Sequence, residues 1–399
     1  MMISKNLDKV HSDIRGDIYM HALELEKQGN KVLKLNTGNP AAFGFKMPES
    51  IKSRIITDVE KSLGYCDMRG REDAREAIVS YHKTKGLKDI TKEDVFIGNG
   101  VSEVAYMIVT SLVGPGDEIL VPSPCYSLWT NFTLLAGGNI RYYQCDEATG
   151  WQPDIDSIKK NITKNTKAIV VINPNNPTGA LYSKETLLEI IEVARENNIV
   201  VIADEIYDRL VLDEKQHVSM AALADDVTIV TMNGLSKSHC ICGLRCGWLI
   251  MSGPEKEKSK LRDALIKIAS VRLCSNALMQ IIIPDALKDT EYTKHMMGPD
   301  GRIARQRNAT TDELDKIDGI TYVKNSAAFY LFPKIDIEKF GFESDRDFAR
   351  QLLDDKHILI IPGSGFSCVD NKHFRIVMLP EENQLRDAMK DIGDFLSKR

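Results

Sequence analysis

Through the middle of the chain, short apolar runs alternate with amphipathic segments. Seven runs rich in β-branched and other apolar residues predict strands over 95–97, 118–121, 140–143, 168–172, 200–203, 228–232 and 247–251. Between several of these, apolar residues recur every three to four positions, which predicts helices over 102–112, 128–135 and 184–197. Since alternating strands and helices form βαβ units, the pattern predicts an α/β fold. Its large domain would hold a mostly parallel, seven-stranded sheet flanked by helices, with ligands at the carboxyl edge of the strands.

The two ends of the chain carry a different pattern. Residues 1–45 predict one helix, over 14–28, and a short extended stretch. From about residue 290, a helix over 301–316 precedes short predicted strands at 321–323, 328–332 and 374–377. We therefore expect residues 46–290 to form the large domain. Residues 1–45 and 291–399 would combine into a smaller domain, an N-terminal arm plus a C-terminal α+β part.

Composition narrows the choice of partners and compartment. The 399 residues are 43% hydrophobic, enough for a large core, and the net charge of −5 is spread along the chain. A nucleic-acid partner is not expected, because it would require a basic patch. The N-terminus lacks the apolar core of a signal peptide, and no apolar run approaches the ~20 residues of a membrane-spanning helix. The eight scattered cysteines show no disulfide framework, so we expect a cytoplasmic protein with free thiols.

Lys237 is the first candidate catalytic residue. It follows a predicted strand and stands directly after Ser236, and Arg245 comes eight residues later. A lysine amine can form a covalent imine with an aldehyde cofactor and later act as a base. The serine hydroxyl and the planar guanidinium both suit a phosphate group. A solvated surface lysine is the ordinary alternative for any single lysine.

Asp204 and Tyr207 follow another predicted strand. Asp204 ends a nearly all-apolar run, where an unpaired carboxylate would be costly, and a cationic ring nitrogen would pair with it. The alternative is a helix N-cap. Tyr207 could reach a hydroxyl on the same ring if the chain turns back. Asn176 follows the preceding strand and could donate to that oxygen, or it could be a turn residue between prolines.

Two further strand ends carry groups that suit a phosphorylated aromatic ligand. Gly100, Val101 and Ser102 join a strand to a helix, where exposed amides bind phosphate, although many such loops are rich in Gly and Ser. Tyr126 follows the next strand and could stack on a ring or pack in the core. The groups at the strand ends together predict pyridoxal 5'-phosphate (PLP) as the cofactor. They are an amine, an acid, a phenol, an amide and a phosphate-binding cluster.

These segments together resemble the class I and II aminotransferases, which are PLP enzymes of fold type I. The resemblance extends over essentially the whole chain. The signatures that carry it are Asn39-Pro40, Tyr65 with Gly70, Gly100 to Ser102, Asn173 to Gly179, Asp204 to Tyr207, Ser236-Lys237 through Arg245, and Phe374 to Val377.

The resemblance implies a role for each matched residue. Lys237 would hold PLP covalently and move the substrate proton, and Asp204 would pair with the pyridine nitrogen. Tyr207 and Asn176 would hydrogen-bond the ring oxygen, and Tyr126 would stack against the ring. The phosphate would be bound by Val101, Ser102, Ser236 and Arg245. Arg375 would bind the substrate α-carboxylate, assisted by Asn176 and the Gly38 backbone. Tyr65 would reach the phosphate of a neighbouring subunit, which implies a homodimer with shared active sites.

Five segments are similar to the bacterial alanine (glutamate–pyruvate) aminotransferases in particular. They cover 13–16, 30–36, 38–45, 64–70 and 270–274. In that group the segment around Arg15 folds over the active site, so Arg15 is implied to bind the distal carboxylate of glutamate. The alternative is a surface arginine on the first helix. The implied reaction is the ping-pong transfer of an amino group from L-alanine to 2-oxoglutarate, which gives pyruvate and L-glutamate.

The chain departs from that group near the expected pocket. Ser12 replaces a common tyrosine, Ser127 replaces a common proline, and His239-Cys240 occupies a loop where relatives carry tyrosine and arginine. These changes leave the chemistry intact and bear on substrate preference. Aminotransferases for aromatic, branched or other amino acids, and a PLP β-elimination lyase, therefore stay open as alternatives.

Two further hypotheses are weaker. His239, with the cysteines at 240, 242 and 246, could bind a metal, but the spacing does not match the paired hairpins of zinc sites, so no metal is expected there. A PLP-sensing transcription regulator would need an N-terminal DNA-binding module of roughly 60 to 100 residues. The aminotransferase-like segments begin within the first few tens of residues, which argues against such a module.

Overall fold

The computed structural model describes residues 3–399 of the chain. Its strands are, in chain order, β1 (Leu33–Lys34), β2 (Val95–Asn99), β3 (Glu118–Ser123), β4 (Asn139–Asp146), β5 (Gln152–Pro153), β6 (Thr166–Ile172), β7 (Val200–Asp204), β8 (Ile229–Gly234), β9 (Cys246–Ser252), β10 (Ile320–Thr321), β11 (Tyr330–Leu331), β12 (Lys334–Ile335), β13 (Ile358–Leu359), β14 (Ile361–Pro362) and β15 (Phe374–Val377). All seven strands predicted for the large sheet are present.

Helices flank these strands along the chain. They are α1 (Asp17–Lys27), α2 (Glu49–Asp58), α3 (Glu72–Thr84), α4 (Val101–Leu112), α5 (Leu128–Leu135), α6 (Ile155–Asn161), α7 (Lys184–Asn197), α8 (Leu235–Ser238), α9 (Glu255–Arg272), α10 (Ala277–Ile281), α11 (Ile283–Lys288), α12 (Glu291–Met297), α13 (Arg302–Leu314), α14 (Ile337–Phe340), α15 (Asp345–Lys356) and α16 (Glu382–Leu396). The three helices predicted between the central strands correspond to α4, α5 and α7.

The main sheet has the strand order β2-β9-β8-β7-β6-β3-β4-β5. The pairs joining β8, β7, β6, β3 and β4 are parallel, and the pairs made by β9 with β2 and β8 are antiparallel. The sheet therefore has eight strands instead of the predicted seven. The additional strand, β5, pairs only two residues with the end of β4 at the sheet edge, which is too short for a periodic sequence signal.

The parallel strands explain why ligand-binding residues gather at one edge. Strands β6, β7 and β8 are nearly all buried because helices cover both faces of the sheet. For that reason their sequences are almost continuously apolar. Their register places Ile172 opposite Asp204, and Asp204 opposite Met232. The residues after these positions thus leave the sheet side by side, at the edge where α/β folds bind ligands.

A separate hydrophobic cluster joins the two ends of the chain. It includes Ile18 and Leu35 from the N-terminal part, and Phe348, Phe374 and Phe395 from the C-terminal part. Parallel pairing of β1 with β13 connects the same two parts.

The terminal elements differ from the predicted ones in two places. The predicted helix over 14–28 is a 3₁₀ turn, Asp13–Arg15, followed by α1, because Gly16 adopts an extended conformation between them. The predicted strand over 328–332 is reduced to β11, since Ala328 has a positive φ of 57° that interrupts the extended chain. Within residues 3–399, no helix is both long enough and apolar enough to span a membrane.

Candidate active site

Lys237 lies at the carboxyl end of β8, in the short helix α8. Its Nζ donates a hydrogen bond of 2.8 Å to the carbonyl oxygen of Gly38 and lies 5.8 Å from the centre of the Phe329 ring. Gly38 is required at this contact, because a Cβ there would overlap the hydroxyl of Tyr330. The N-terminal segment is thus held against the lysine, and the amine has a neutral partner and no hydrogen-bonded carboxylate among the described residues.

Asp204 ends β7 and is 5% exposed. The indole Nε1 of Trp129 donates to its Oδ2 at 3.2 Å, and the backbone amide of Ile206 donates to its Oδ1 at 3.3 Å. Burial raises the pKa of Asp204 to about 6, although both donors and the charge of Lys237 oppose the shift. A buried carboxylate with neutral donors only is stabilised strongly by a cation placed beside it.

Tyr207, which follows β7, and Arg375, which lies in β15, face the same space. The Tyr207 hydroxyl lies 2.8 Å from the hydroxyl of Tyr330, and burial raises the pKa of Tyr207 well above its usual value. The guanidinium of Arg375 is 1% exposed, donates from Nη1 to Oδ1 of Asn176 at 2.8 Å, and donates from Nη2 to the carbonyl of Asn36. Its Nε is buried and has no hydrogen-bond partner within residues 3–399. Four predicted site residues, with Lys237, therefore converge between the sheet edge and β15.

A second group of predicted residues forms a site suited to an anion. Val101 and Ser102 are the first residues of α4, whose N-cap, Gly100, has a positive φ of 81°. Arg245 lies against this turn, since its Nη2 donates to the carbonyl of Asn99 at 3.3 Å and would overlap a Cβ on Gly100. The free amides of a helix N-terminus and a guanidinium together favour a phosphate-sized anion.

The neighbouring residues complete this surface. Ser236 is 7% exposed and directly precedes Lys237 in α8. Tyr126 is half-buried between β3 and α5, and burial together with neighbouring Tyr330 raises its pKa. The charges of Arg375 and Arg245 lower that pKa and the charge of Asp204 raises it further.

The donor set fits PLP on three independent counts. Asp204 provides a buried anion for a ring nitrogen, Lys237 an amine for an aldehyde, and the α4 turn with Arg245 a phosphate site. The absence of a Cβ at Gly100 lets the Arg245 guanidinium lie directly against the turn, next to the helix N-terminus.

A family model described as aminotransferase class I and II matches residues 30–392. This chain belongs to that family. The glutamate-pyruvate aminotransferase AlaA of Haemophilus influenzae is 47% identical over 394 residues, which cover 99% of this chain and 98% of the relative. An alanine aminotransferase of Mycobacterium tuberculosis is 41% identical over 394 residues, covering 98% of this chain and 92% of the relative.

Solved aminotransferase structures match over the full length as well. An aminotransferase from Escherichia coli has 42% identity and a TM-score of 0.97, covering 100% of this chain and 98% of that one. An alanine aminotransferase from Pyrococcus furiosus has 40% identity and a TM-score of 0.95, covering all of both chains. The expected fold class, fold type I of the PLP enzymes, is thus confirmed.

Two predicted residues, Tyr65 and Arg15, lie on the surface of the chain. Tyr65 is 84% exposed on the segment between α2 and α3. Arg15 is also exposed, in the 3₁₀ turn before α1. The carbonyl of the neighbouring Ile14 accepts a hydrogen bond of 3.1 Å from Asn36, whose own carbonyl accepts from Arg375. The Arg15 turn is therefore connected to Arg375 through two hydrogen bonds.

The departures from the alanine aminotransferase group lie in different environments. His239 is completely buried, its Nε2 lies 2.9 Å from the carbonyl of Ala286, and its ring stacks on Tyr292. Burial lowers the pKa of His239 to about 4, so the ring is a neutral packing residue between α8 and α11. Ser127 is the N-cap of α5 beside Tyr126, and Ser12 is exposed.

The metal alternative at residues 239–246 receives no support from the geometry. The Sγ of Cys240 lies 3.8 Å from Met296 Sδ, Cys242 donates to Asn39 at 3.3 Å, and Cys246 donates to the carbonyl of Met279 at 3.6 Å. The three thiols thus have separate neighbours.

Sequence reasoning missed several residues that shape the site. Trp129 hydrogen-bonds Asp204, and Tyr330 hydrogen-bonds Tyr207 and lies 4.6 Å from the Arg375 guanidinium. Phe366 flanks that guanidinium at the same distance. Trp129 comes one helical turn after the predicted stacking residue, a signal that could have been used. Tyr330 and Phe366 lie among apolar residues and cannot be distinguished by pattern from ordinary core aromatics.

Proposed function

We propose that this aminotransferase binds PLP and transfers the amino group of L-alanine to 2-oxoglutarate, giving pyruvate and L-glutamate, by a ping-pong mechanism. The observation that carries the chemistry is the buried Asp204, which has neutral hydrogen-bond donors and a raised pKa, at the sheet edge where Lys237 also emerges. The substrate pair is supported by relatives named alanine or glutamate-pyruvate aminotransferases at 41–47% identity.

The cofactor is proposed to use the groups described above. Asp204 pairs with the ring nitrogen, Tyr207 and Asn176 bond the ring hydroxyl, and Tyr126 stacks on the ring. The phosphate is bound by Val101, Ser102, Ser236 and Arg245. When bound, PLP acts as an electron sink that stabilises the carbanion formed at the substrate Cα and carries the amino group between the two substrates.

Lys237 acts as both tether and proton carrier. Its Nζ would hold the cofactor covalently, and an amino-acid substrate would free it. The freed Nζ would then take the proton from the substrate Cα and deliver it to the carbon of the cofactor that had carried the lysine. The carbonyl of Gly38, 2.8 Å from Nζ, gives the amine a nearby acceptor without the pairing that a carboxylate would impose.

Arg375 orients the substrate. Its planar guanidinium binds the α-carboxylate in a bidentate manner, with Asn176 and the backbone of Gly38 assisting. Burial lowers the pKa of Arg375, as expected for a desolvated cation with carbonyl and amide partners instead of a carboxylate. Such a cation favours an incoming anion, and fixing the carboxylate sets the Cα–H bond toward Lys237.

Arg15 is proposed to bind the distal carboxylate of glutamate and 2-oxoglutarate. The support is its position on a turn that is hydrogen-bonded through Ile14 and Asn36 to Arg375. An exposed arginine on such a turn costs little to reorient when a dicarboxylate enters, whereas alanine leaves that position empty.

We further propose a homodimer with shared active sites. Two adjacent segments expose large apolar side chains, namely Leu63 (77%) and Tyr65 (84%) in one, and Val271 (87%) and Leu273 (53%) in the other. The Arg272 guanidinium donates to the carbonyl of Met68 at 3.2 Å, which joins the segments into one surface. Contiguous exposed apolar surface of this kind marks association sites. Tyr65 would reach the phosphate of the second subunit from this surface.

Domain division and compartment are also proposals. Residues 46–290 would form the large domain, and residues 1–45 and 291–399 the small one, as the shared cluster of Ile18, Leu35 and Phe374 supports. The cytoplasm is the proposed compartment. Eight free cysteines among the described residues support a reducing environment.

The test is an absorbance titration of the purified holoenzyme. L-Alanine should convert the lysine-bound cofactor band to that of the amino form, and 2-oxoglutarate should restore it. A band that ignores alanine but responds to aromatic or branched amino acids would retain the cofactor and overturn the substrate. Release of a keto acid together with ammonia from an amino acid that carries a β leaving group, with the cofactor band retained and no amino form, would indicate β-elimination instead.

A further inference from the structure

A Cys-x-Asp-x-x-His segment, residues 368–373, leads into the strand β15 that carries Arg375. One side-chain ligand atom from each of Cys368, Asp370 and His373 lies within 4.8 Å of the others. The Cys368 Sγ is 3.6 Å from Asp370 Oδ1 and 3.7 Å from His373 Nδ1, and these last two atoms are 2.9 Å apart. The aminotransferase reaction uses none of these three groups.

We propose that Cys368, Asp370 and His373 bind one Zn²⁺ ion through Sγ, a carboxylate oxygen and Nδ1. With ordinary Zn–S and Zn–N or Zn–O bonds, a tetrahedral site has ligand separations of about 3.5 Å for pairs with sulfur and about 3.4 Å for the N–O pair. The two sulfur separations, 3.6 and 3.7 Å, agree with this. The 2.9 Å N–O pair widens by about half an ångström when the ion replaces the shared proton.

The surroundings of His373 fix its ring for ligation through Nδ1. His373 is 1% exposed, and its ring stacks on Phe332 at 5.0 Å, with Trp151 edge-on at 5.1 Å. Its Nε2 is buried, lacks a hydrogen-bond partner, and lies 3.3 Å from the Glu147 carboxylate. A carboxylate behind the distal nitrogen keeps the proton there and leaves the other nitrogen for the metal, as is common for zinc-binding histidines.

The position for a fourth ligand opens into a cavity. A space of about 300 Å³ is bordered by Cys368, Asp370 and His373 together with Glu147 and the β4–β5 region. Water can enter it and complete a tetrahedral shell.

The neighbouring charges are compatible with a divalent ion. Lys334 lies 3.2 Å from Glu147 and 3.3 Å from Asp370, so it can remain paired with Glu147 when Asp370 binds the metal. Zn²⁺ binds the thiolate sulfur and the unprotonated Nδ1, and any proton held on either atom leaves to solvent. The thiol and imidazole ligands select Zn²⁺ over the oxygen-preferring Mg²⁺ and Ca²⁺.

The ion would be structural and not catalytic. It would fix the loop before β15, two residues from Arg375, with His373 also facing Glu147. Without a metal, the same residues form a cluster of ion pairs. The experiment must distinguish this metal-free cluster from a zinc site.

The test is calorimetric titration of Zn²⁺ into chelator-treated, dialysed holoenzyme. We expect one site per chain with a Kd below about 1 µM. Cys368→Ser should lose this site, and Asp370→Asn should weaken it by at least about tenfold. Cys274→Ser, which removes a half-exposed thiol elsewhere, should bind Zn²⁺ as the parent does. Circular dichroism and the cofactor band verify that each variant is folded.

Co²⁺ gives an independent result on the unaltered enzyme. A tetrahedral thiolate site produces strong d–d bands in the red, away from the cofactor, and Zn²⁺ should abolish them. If the parent shows no saturable Zn²⁺ binding and no such bands, or if Cys368→Ser and Asp370→Asn both bind as tightly as the parent, the cluster is only an ion-pair network and the proposal is wrong. If Cys368→Ser fails to fold, Asp370→Asn and the Co²⁺ spectrum decide.

Discussion

Arg375 and Asn176 are 199 residues apart and are joined by a hydrogen bond of 2.8 Å from Nη1 to Oδ1. The contact connects β15 to the segment after β6, so the C-terminal part of the chain completes a site built on the main sheet. The rings of Tyr330 and Phe366, each with its centre 4.6 Å from the guanidinium carbon, fix the plane of the cation. A fixed planar cation can bind a carboxylate in one orientation only.

We expect Arg375→Lys to impair substrate binding. A lysine keeps the charge but loses the fork and the stacking, so KM for alanine and for 2-oxoglutarate should rise together, with kcat/KM reduced roughly 30-fold or more. Steady-state kinetics in both directions measures this. The cofactor band should be unchanged, and an equal loss of cofactor would contradict a role confined to substrate.

Lys237→Ala should abolish the covalent attachment of the cofactor. The phosphate site and Asp204 remain, so PLP should still bind, but as the free aldehyde. Turnover should fall by about 10⁴-fold or more, in line with the removal of a residue that acts in every step. The absorbance spectrum and an overnight product assay check both expectations. Lys215→Ala, an exposed lysine bonded to Ser326, is the control and should retain normal activity.

Asp204→Asn should reduce kcat roughly 10²- to 10³-fold, because the amide cannot stabilise a positive charge on the ring nitrogen. The same variant tests the raised pKa in the cofactor-free protein. The folded state holds the Asp204 proton with a pKa of about 6 compared with its usual 3.8, so its stabilising contribution is complete below pH 3.8 and lost as pH rises through 6.

Relative to the parent, cofactor-free Asp204→Asn should therefore gain stability between pH 4 and 6 and hold that gain above. The total gain in the free energy of unfolding is about 3 kcal/mol for a pKa shift of this size. Urea unfolding at a series of pH values measures the difference. A difference that does not change with pH would mean that the buried carboxylate is ionised in the folded protein throughout the range.

Tyr330→Phe should lower kcat/KM about fivefold. The ring stays beside Arg375, but the Tyr207 hydroxyl loses its 2.8 Å partner, and a neutral hydrogen bond of this kind is worth about 1 kcal/mol. Tyr322→Phe, whose hydroxyl contacts Asp315 away from the site, is the matched control. Equal effects of the two substitutions would show that the Tyr207–Tyr330 contact has no part in catalysis.

Val271→Glu should disrupt the proposed dimer. Val271 is 87% exposed, so the charge is tolerated in a single chain but not in a desolvated apolar interface. Light scattering should give half the parent mass, and activity should fall because Tyr65 no longer reaches a second site. Leu188→Glu, on the outer face of α7 and 41% exposed, should leave mass and activity unchanged. A parent protein of monomeric mass would refute shared active sites.

The sequence determined the fold class and the identity of the chemical groups, because both depend on local information. Apolar runs such as 168–172 and 200–203 define buried strands, and a polar residue at the end of such a run, like Asp204, is conspicuous by itself. The sequence did not indicate β5, whose two residues have no periodicity, or the break at Ala328, which depends on one positive φ.

Only the tertiary structure decided which side chains contact each other in the site. No pattern in the sequence distinguishes Tyr330 and Asn36, yet they contact Tyr207 and Arg375. Trp129 stands out only by following Tyr126 by three residues, and its hydrogen bond to Asp204 depends on packing. His239 resembled a pocket residue because of its position after Lys237, but the turn of α8 directs it into the core against Ala286. Chain connectivity specifies which residues come after each strand, whereas the direction of a side chain and its long-range partners depend on packing between elements. For that reason the cofactor chemistry could be predicted from sequence, and the supporting contacts and the cluster around His373 could not.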